Sequence, residues 1–183
     1  MRHIMAYEAG GIRDEYARMG VDAYYSANRS GYANPHLPGV QACLDWAAGR
    51  IDIGYFLDLA CGNGEASSHL LSLGLAEFKG CDPYFSRIYE ARLGRECLGM
   101  RFEDIATKGL TERFDTVVCS YALHLCPRTY WAPLLWSLSR ACGHLVVVSP
   151  SKHPAVEDHF EQVDGTKVGR THCRVYLSTT RLG

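Results

Sequence analysis

The run Tyr55-Phe56-Leu57-Asp58-Leu59-Ala60-Cys61-Gly62-Asn63-Gly64-Glu65-Ala66-Ser67 decides how the rest of the chain is read. An apolar segment reaches a carboxylate, passes two glycines one residue apart, and enters a stretch of helical character. A buried strand that ends in a glycine-rich turn and feeds a helix brings backbone N–H groups and a positive helix end against a ligand, because glycine has no Cβ to keep it away. Dinucleotide sites use that geometry with G-x-G-x-x-G or a final Ala, whereas here Gly62 and Gly64 are followed at the third position by Ser67. Asp58 stands four residues before Gly62. A carboxylate at a strand tip repels a pyrophosphate and attracts an ammonium, directly or through water, so the ligand expected here carries positive charge.

Outward from this stretch the chain alternates. Segments Tyr55 to Leu59, Phe78 to Cys81, Leu98 to Phe102, Phe114 to Cys119 and His144 to Ser149 are short, apolar and bounded by Gly, Asp or Ser, as strands buried on both faces should be. Helix-length stretches separate them. Glu65 to Leu73 sets Leu70, Leu71 and Leu73 near one face, and Tyr84 to Gly94 carries Ile88 and Leu93. Arg128 to Arg140 brings Leu134, Leu135 and Leu138 together with Trp131 and Trp136. This order predicts an α/β fold with a mostly parallel sheet, right-handed crossovers and helices on both faces, binding its ligand beyond the carboxyl ends of the strands.

The ends depart from the repeat. Before the first strand, V-D-A-Y-Y-S-A-N-R-S-G-Y-A-N-P-H-L-P is aromatic and turn-rich and leads into a helix expected from Pro38 to Gly49. After the fifth strand, P-A-V-E-D is at most a vestigial helix. H-F-E-Q-V and R-T-H-C-R-V-Y-L-S-T then read as two strands that close a seven-stranded sheet as an antiparallel pair. The expected organisation is one domain over 1–183: an aromatic N-terminal lid at 1–37, a ligand-binding core at 38–150 and a terminal strand pair at 151–183.

Composition narrows the partners. The 183 residues are 47% hydrophobic and 21% charged, with 19 basic and 20 acidic side chains, so no general attraction to nucleic acid or an anionic membrane follows from charge. The N-terminus lacks the apolar core of a signal peptide and no run approaches a membrane span, so the expected location is the cytoplasm. The eight cysteines form no C-x-x-C pair and fall mostly in apolar segments, which suits reduced, buried thiols. Cys119, His124 and Cys126 lack zinc-ligand spacing, so no metal is expected.

D-L-A-C-G-N-G resembles the first motif of class I S-adenosylmethionine-dependent methyltransferases, whose common form has Gly in place of Ala60. The resemblance extends over about residues 38–150. It implies a Rossmann-like methyltransferase fold and S-adenosyl-L-methionine as cofactor, with S-adenosyl-L-homocysteine as product. Asp58, Ala60, Cys61, Gly62, Asn63 and Gly64 then form the cofactor loop. Asp82 in G-C-D-P-Y takes the ribose hydroxyls through paired carboxylate hydrogen bonds, and Pro83 and Tyr84 border the adenine. F-E-D-I-A, expected as the turn after strand three, offers Glu103 or Asp104 to the adenine amino group and Ile105 to its ring. Strand four, F-D-T-V-V-C-S-Y-A-L-H-L, sets Ser120 and Tyr121 beside the methionine portion. The family's helix between strands five and six is much reduced here.

Methyl transfer from a sulfonium is an in-line displacement, so the protein's tasks are alignment, water exclusion and, for some acceptors, proton removal. Tyr121 and His124 are the candidate groups for that proton; the alternative is that they only orient or pack. No N-P-P-Y type signature for amide or base nitrogens is present, because the corresponding place reads C-S-Y-A-L-H. Tyr16, Tyr24, Tyr25, Tyr32, Asn34 and His36 resemble the family's variable lid, whose aromatics could hold a sulfonium or shape an acceptor pocket; the alternative is that they are core and surface side chains of a covering helix. Lys152, His153, Lys167, Arg170, His172 and Arg174 collect toward the end of the chain, as solvated charge or as contacts for an anionic or RNA acceptor. The reading that follows is methyl transfer to an O, N or S atom of a small molecule, with RNA and protein acceptors left open. A noncatalytic partner subunit of the same fold and a nicotinamide-dependent oxidoreductase are the alternatives.

Overall fold

The computed structural model describes residues 36–150, 155–156 and 158–180. The chain divides into Met1–Ala33 and Asn34–Gly183, and all described residues belong to the second unit. Helix α1 (Leu37–Ala48) precedes β1 (Phe56–Leu59), α2 (Glu65–Ser72), β2 (Phe78–Cys81), α3 (Ser86–Leu93), β3 (Cys97–Leu98), α4 (Phe102–Lys108) and β4 (Phe114–Ser120). A short 3₁₀ turn (Leu123–Leu125) leads to α5 (Arg128–Ala141), β5 (Cys142–Ser149), β6 (Phe160–Val168) and β7 (Thr171–Ser178).

The strands form one seven-stranded sheet in the order β3-β2-β1-β4-β5-β7-β6. Strands β1 to β5 pair in parallel, and β7 runs antiparallel to both β5 and β6. Alternation of side chains explains why the inner strands are buried on both faces. Leu57, Leu59, Val117, Cys119, Leu145 and Val147 pack with Ile105 of α4 and with Leu134, Leu135 and Leu138 of α5. Their neighbours Phe56, Val118, Val146 and Val148 pack on the other face with Val40 and Leu44 of α1, Leu70 of α2 and Tyr89 of α3. Each fully buried side chain of this size contributes about 1.5–3 kcal/mol, so both helical layers are held by the same strands. The chain turns outward in both directions from β1 and β4, and the crevice at their carboxyl tips is the switch point at which such sheets bind ligands.

Two expectations are corrected. The third strand is only Cys97–Leu98, and Phe102, expected as its last residue, opens α4 instead. F-E-D-I-A is thus the first turns of a helix: Asp104 Oδ2 accepts the Arg101 N–H at 3.0 Å, and Asp104 Oδ1 pairs with Lys108 Nζ one turn later at 3.0 Å. This end cap and i,i+4 pair favour helix over further extension at the sheet edge. The second correction is at β6, which runs on to Val168, well past H-F-E-Q-V. Its exposed edge position and a bulge between Gln162 and Asp164 leave no apolar alternation to read. Between β5 and β6 no described residue is helical; Val156 is fully buried there, and the Trp131 indole N–H donates to the Ala155 carbonyl.

Candidate functional site

At the tip of β1 the backbone enters left-handed conformations at Ala60 (φ 57°), Gly62 (φ 53°) and Gly64 (φ 85°), the last at the N-terminus of α2. The Cys61 N–H donates to the Cys81 carbonyl at 3.2 Å, which ties the loop to β2. A Cβ placed on Gly62 would meet nothing within 4 Å, so this side of the loop is open.

Asp58 is 1% exposed and faces inward. Its Oδ2 accepts the Ser67 N–H at 3.1 Å and the Ser67 Oγ–H at 2.7 Å. Ser67 sits in the first turn of α2, where backbone N–H groups have no helical partner, so Asp58 caps the helix from the preceding strand and complements its positive end. Burial pushes the Asp58 pKa up to about 6, against the lowering by the Ser67 bonds and with the nearby charge of Asp82.

Asp82, at the tip of β2, is 6% exposed. Its Oδ2 accepts the Gly62 N–H at 3.0 Å, and its Oδ1 accepts the N–H groups of Tyr84 at 2.8 Å and Phe85 at 3.0 Å. One carboxylate therefore sets the glycine loop and the turn after β2 against each other. Pro83 and Tyr84 are half-buried in that turn. The Arg101 guanidinium lies 5.3 Å from the Tyr84 ring centroid and donates to Tyr84 Oη at 3.1 Å. Of the three residues of F-E-D-I-A expected at the adenine, Asp104 caps α4, Ile105 is fully buried in the core and Glu103 is half-buried.

Across the crevice, Ser120 ends β4 and Tyr121 follows with φ 53°. The Tyr121 N–H donates to the Val148 carbonyl at 2.7 Å, its hydroxyl pairs with Thr171 Oγ1 at 2.7 Å, and its ring stacks on His36 at 4.5 Å between centroids and 12° between planes. Two candidates distant in sequence are thus in contact. His124 is exposed on the 3₁₀ turn. Tyr16, Tyr24, Tyr25, Tyr32, Asn34, Lys152 and His153 lie outside the described residues, while Lys167 and Arg170 are exposed and His172 and Arg174 half-buried on the terminal hairpin.

All eight cysteines are buried and unpaired, with Cys61 Sγ 3.6 Å from Cys97 Sγ. Among the described residues no group of three or more His, Cys, Asp or Glu is placed to hold a metal ion, and no helix is long and apolar enough to cross a membrane. A groove of about 340 Å³ lined by Tyr55, Phe78, Lys79 and Arg95 lies at the amino ends of β1 and β2, the sheet edge opposite the glycine loop and remote from these groups.

A methyltransferase-domain family model matches residues 57–144. An uncharacterised protein of Schizosaccharomyces pombe is 30% identical over 195 residues, covering 81% of this chain and 78% of its own. The N-methyltransferase NodS of Bradyrhizobium japonicum, solved with S-adenosyl-L-homocysteine, shares the fold with a TM-score of 0.69 at 12% identity, over 86% of this chain and 97% of that one. Magnesium protoporphyrin IX methyltransferase of Synechocystis, solved with bound SAM, gives 0.59 at 15% identity, over 93% and 98%. The chain carries a methyltransferase-family domain and has the fold of class I S-adenosylmethionine-dependent methyltransferases.

Within this methyltransferase fold, two polar side chains at the site escape a reading of the sequence. Ser67 registers there only as a mismatch to a glycine fingerprint, although a serine in the first helical turn is a signal for local hydrogen bonding. Thr171, 4% exposed, reaches Tyr121 because β7 starts beside the end of β5, a long-range pairing that no local pattern announces.

Proposed function

We propose that this methyltransferase holds S-adenosylmethionine over the tips of β1 and β2 and passes its methyl group to an O, N or S atom of a small molecule seated over the tips of β4 and β5. The observation that carries the reading is the pair of buried carboxylates, Asp58 and Asp82, on either side of a glycine loop whose Gly62 leaves open space. Two acids at adjacent strand tips suit a ligand with an ammonium and a hydroxyl pair, and they oppose one with a pyrophosphate.

In this reading Asp82, already aimed by three backbone N–H groups, accepts the ribose hydroxyls. Asp58, nearly inaccessible, acts on the ammonium through its field or a bridging water. Ala60, Cys61, Asn63 and Gly64 supply loop backbone, and Pro83 and Tyr84 border the adenine. Glu103 is the better acceptor for the adenine amino group, because Asp104 is committed to α4. Bound at this site, the cofactor supplies a methyl group activated on sulfonium sulfur. The chain's own work is then to align the acceptor and exclude water, with Ser120 and Tyr121 beside the methionine portion. Where the acceptor carries a proton, His124, exposed on the turn beyond β4, receives it in this reading, and Tyr121 is the second candidate.

Calorimetric titration with S-adenosylhomocysteine and, separately, with NADH tests the reading. Saturable binding of the first alone is expected; no binding of the first overturns it.

A further inference from the structure

Two glycines and one serine of the donor half converge on a single buried ring. We infer that Tyr89 is a positioning residue for the donor site, acting through Ser67 on Asp58; the inference rests on the function proposed above.

Tyr89 is the one buried residue of helix α3 and is 0% exposed. Its ring fills space that Gly64 and Gly80 leave. A Cβ on Gly80 would lie 2.7 and 2.8 Å from ring atoms, too close for a side chain while the ring is there, and one on Gly64 would lie 3.0 and 3.1 Å from the ring and 2.6 Å from Leu93 Cδ1. The glycines of β2 and of the loop are shaped to admit this side chain as well as to approach a ligand.

The hydroxyl completes a chain. Tyr89 Oη is 2.7 Å from Ser67 Oγ, which is 2.7 Å from Asp58 Oδ2, and Ser67 is itself fully buried. An ionised Asp58 only accepts, so the Ser67 hydroxyl proton points to it and the Ser67 lone pairs receive the Tyr89 O–H. Each bond polarises the next, and together they hold Asp58 in one rotamer. Without the Tyr89 donor the Ser67 hydroxyl turns toward the carbonyls of its own helix turn instead, and Asp58 loses a bond that favours its charged form. Burial, with the Asp58 charge second, pushes the Tyr89 phenol upward, so it stays a donor at neutral pH. The titratable groups acting on or through Asp58 are Asp82 of β2, Tyr89 of α3 and the thiols of Cys61, Cys81 and Cys119.

The test uses the full chain as wild type, Tyr89→Phe, Ser67→Ala and the double variant, with S-adenosylhomocysteine affinity measured by calorimetry from acid to neutral pH. Tyr89→Phe keeps the ring between the glycines and should weaken binding about 3- to 10-fold, with the acid fall-off moved to higher pH. Ser67→Ala should do at least as much, and adding Tyr89→Phe to it should cost nothing further. Wild-type affinity in Tyr89→Phe, an unmoved pH profile, or losses that simply multiply would overturn the role. The pH dependence of unfolding of the unliganded variants repeats the test without the donor. If wild type fails to bind S-adenosylhomocysteine, the proposed function falls, while an upward shift of the Asp58 transition in Tyr89→Phe still reports on the relay.

Discussion

The two sides of the crevice are built in different ways. The proposed donor side, at the tips of β1 and β2, is made of short contiguous segments whose backbone N–H groups are gathered by the buried carboxylates Asp58 and Asp82. The proposed acceptor side is made of single side chains from three remote places: His36 before α1, Tyr121 after β4 and Thr171 at the start of β7. Charge and backbone specify the first, and ring stacking with a hydroxyl pair specifies the second. A site of the first kind fixes one ligand rigidly. A site of the second kind changes with any one of its contributors, which suits the half that must choose an acceptor.

The sharpest way to break this comparison is at Asp82. Asp82→Ala deprives three backbone N–H groups of their acceptor and removes the proposed ribose contact. Hydrogen bonds to a charged group contribute about 1.5–3 kcal/mol each. The expected result is a loss of S-adenosylhomocysteine affinity of about 100-fold or more and a stability loss of about 3 kcal/mol or more. Calorimetry and urea unfolding report the two separately. An unchanged affinity would refute the ribose role even if stability fell.

Asp58 gives the next largest effect, through pH. Its folded pKa of about 6 lies above the ordinary carboxylate value, so between about pH 4 and 6 the folded state holds more protons than the unfolded one. Stability of the unliganded protein then falls as pH rises through this window, by an amount on the order of 3 kcal/mol in total from this group. Asp58→Asn removes that part of the profile, and the difference between its urea-unfolding curve and the wild-type curve should grow across the window and level off above it. A difference that stays constant with pH would place the Asp58 pKa near its ordinary value. S-adenosylhomocysteine brings an ammonium to this side, so its binding below pH 6 should release protons, seen as a dependence of binding heat on buffer ionisation.

How much of this was legible in the sequence follows the same division. D-L-A-C-G-N-G and G-C-D-P-Y could be placed at strand tips because both faces of β1 and β2 are buried and their ends carry Asp and Gly. The short third strand was misjudged because the competing signal, an Asp104 side chain capping Arg101, is a matter of local geometry that apolar content does not register. The length of β6 was hidden by its exposed edge position, where D-G-T-K needs only backbone pairing to be a strand. Ile105 was read as a ring contact, yet the periodicity of α4 turns it into the core. On the acceptor side, His36 and Tyr121 could be named singly, but their stacking and the bond to Thr171 arise from sheet order, in which β7 inserts between β5 and β6.

A smaller effect is expected from the hydroxyl pair on the acceptor side. Tyr121→Phe leaves the buried Thr171 Oγ1 without this partner, a cost of about 1–2 kcal/mol. Thr171→Val in the same chain replaces both partners by apolar groups of similar shape, and most of the loss should return. Because Tyr121→Phe keeps the ring that the proposed function sets beside the methionine portion and removes only the hydroxyl bonded to Thr171, S-adenosylhomocysteine affinity is expected to stay within about 3-fold in both variants, an interval of less than 1 kcal/mol. If it falls further, the two sides share more than a wall, and the division drawn above is too strict.

Ala60→Gly isolates the smallest effect. The superfamily's common motif has Gly here, and Ala60 does adopt a left-handed conformation, φ 57°, at a cost of about 1–2 kcal/mol for a residue with a Cβ. Relief of that cost argues that Ala60→Gly stabilises. Two terms oppose it: glycine gives the unfolded chain about 0.4–1 kcal/mol more conformational entropy, and the Ala60 methyl packs against the core beneath β1, where one such group is worth up to about 0.8 kcal/mol. The terms nearly cancel, so urea unfolding should show a change of less than about 1 kcal/mol, and affinity for S-adenosylhomocysteine should be unaffected. A loss above about 2 kcal/mol would mean that packing of this methyl, rather than tolerance of a strained turn, keeps alanine at the position. A gain of that size would mean that the turn is strained and the methyl contributes little.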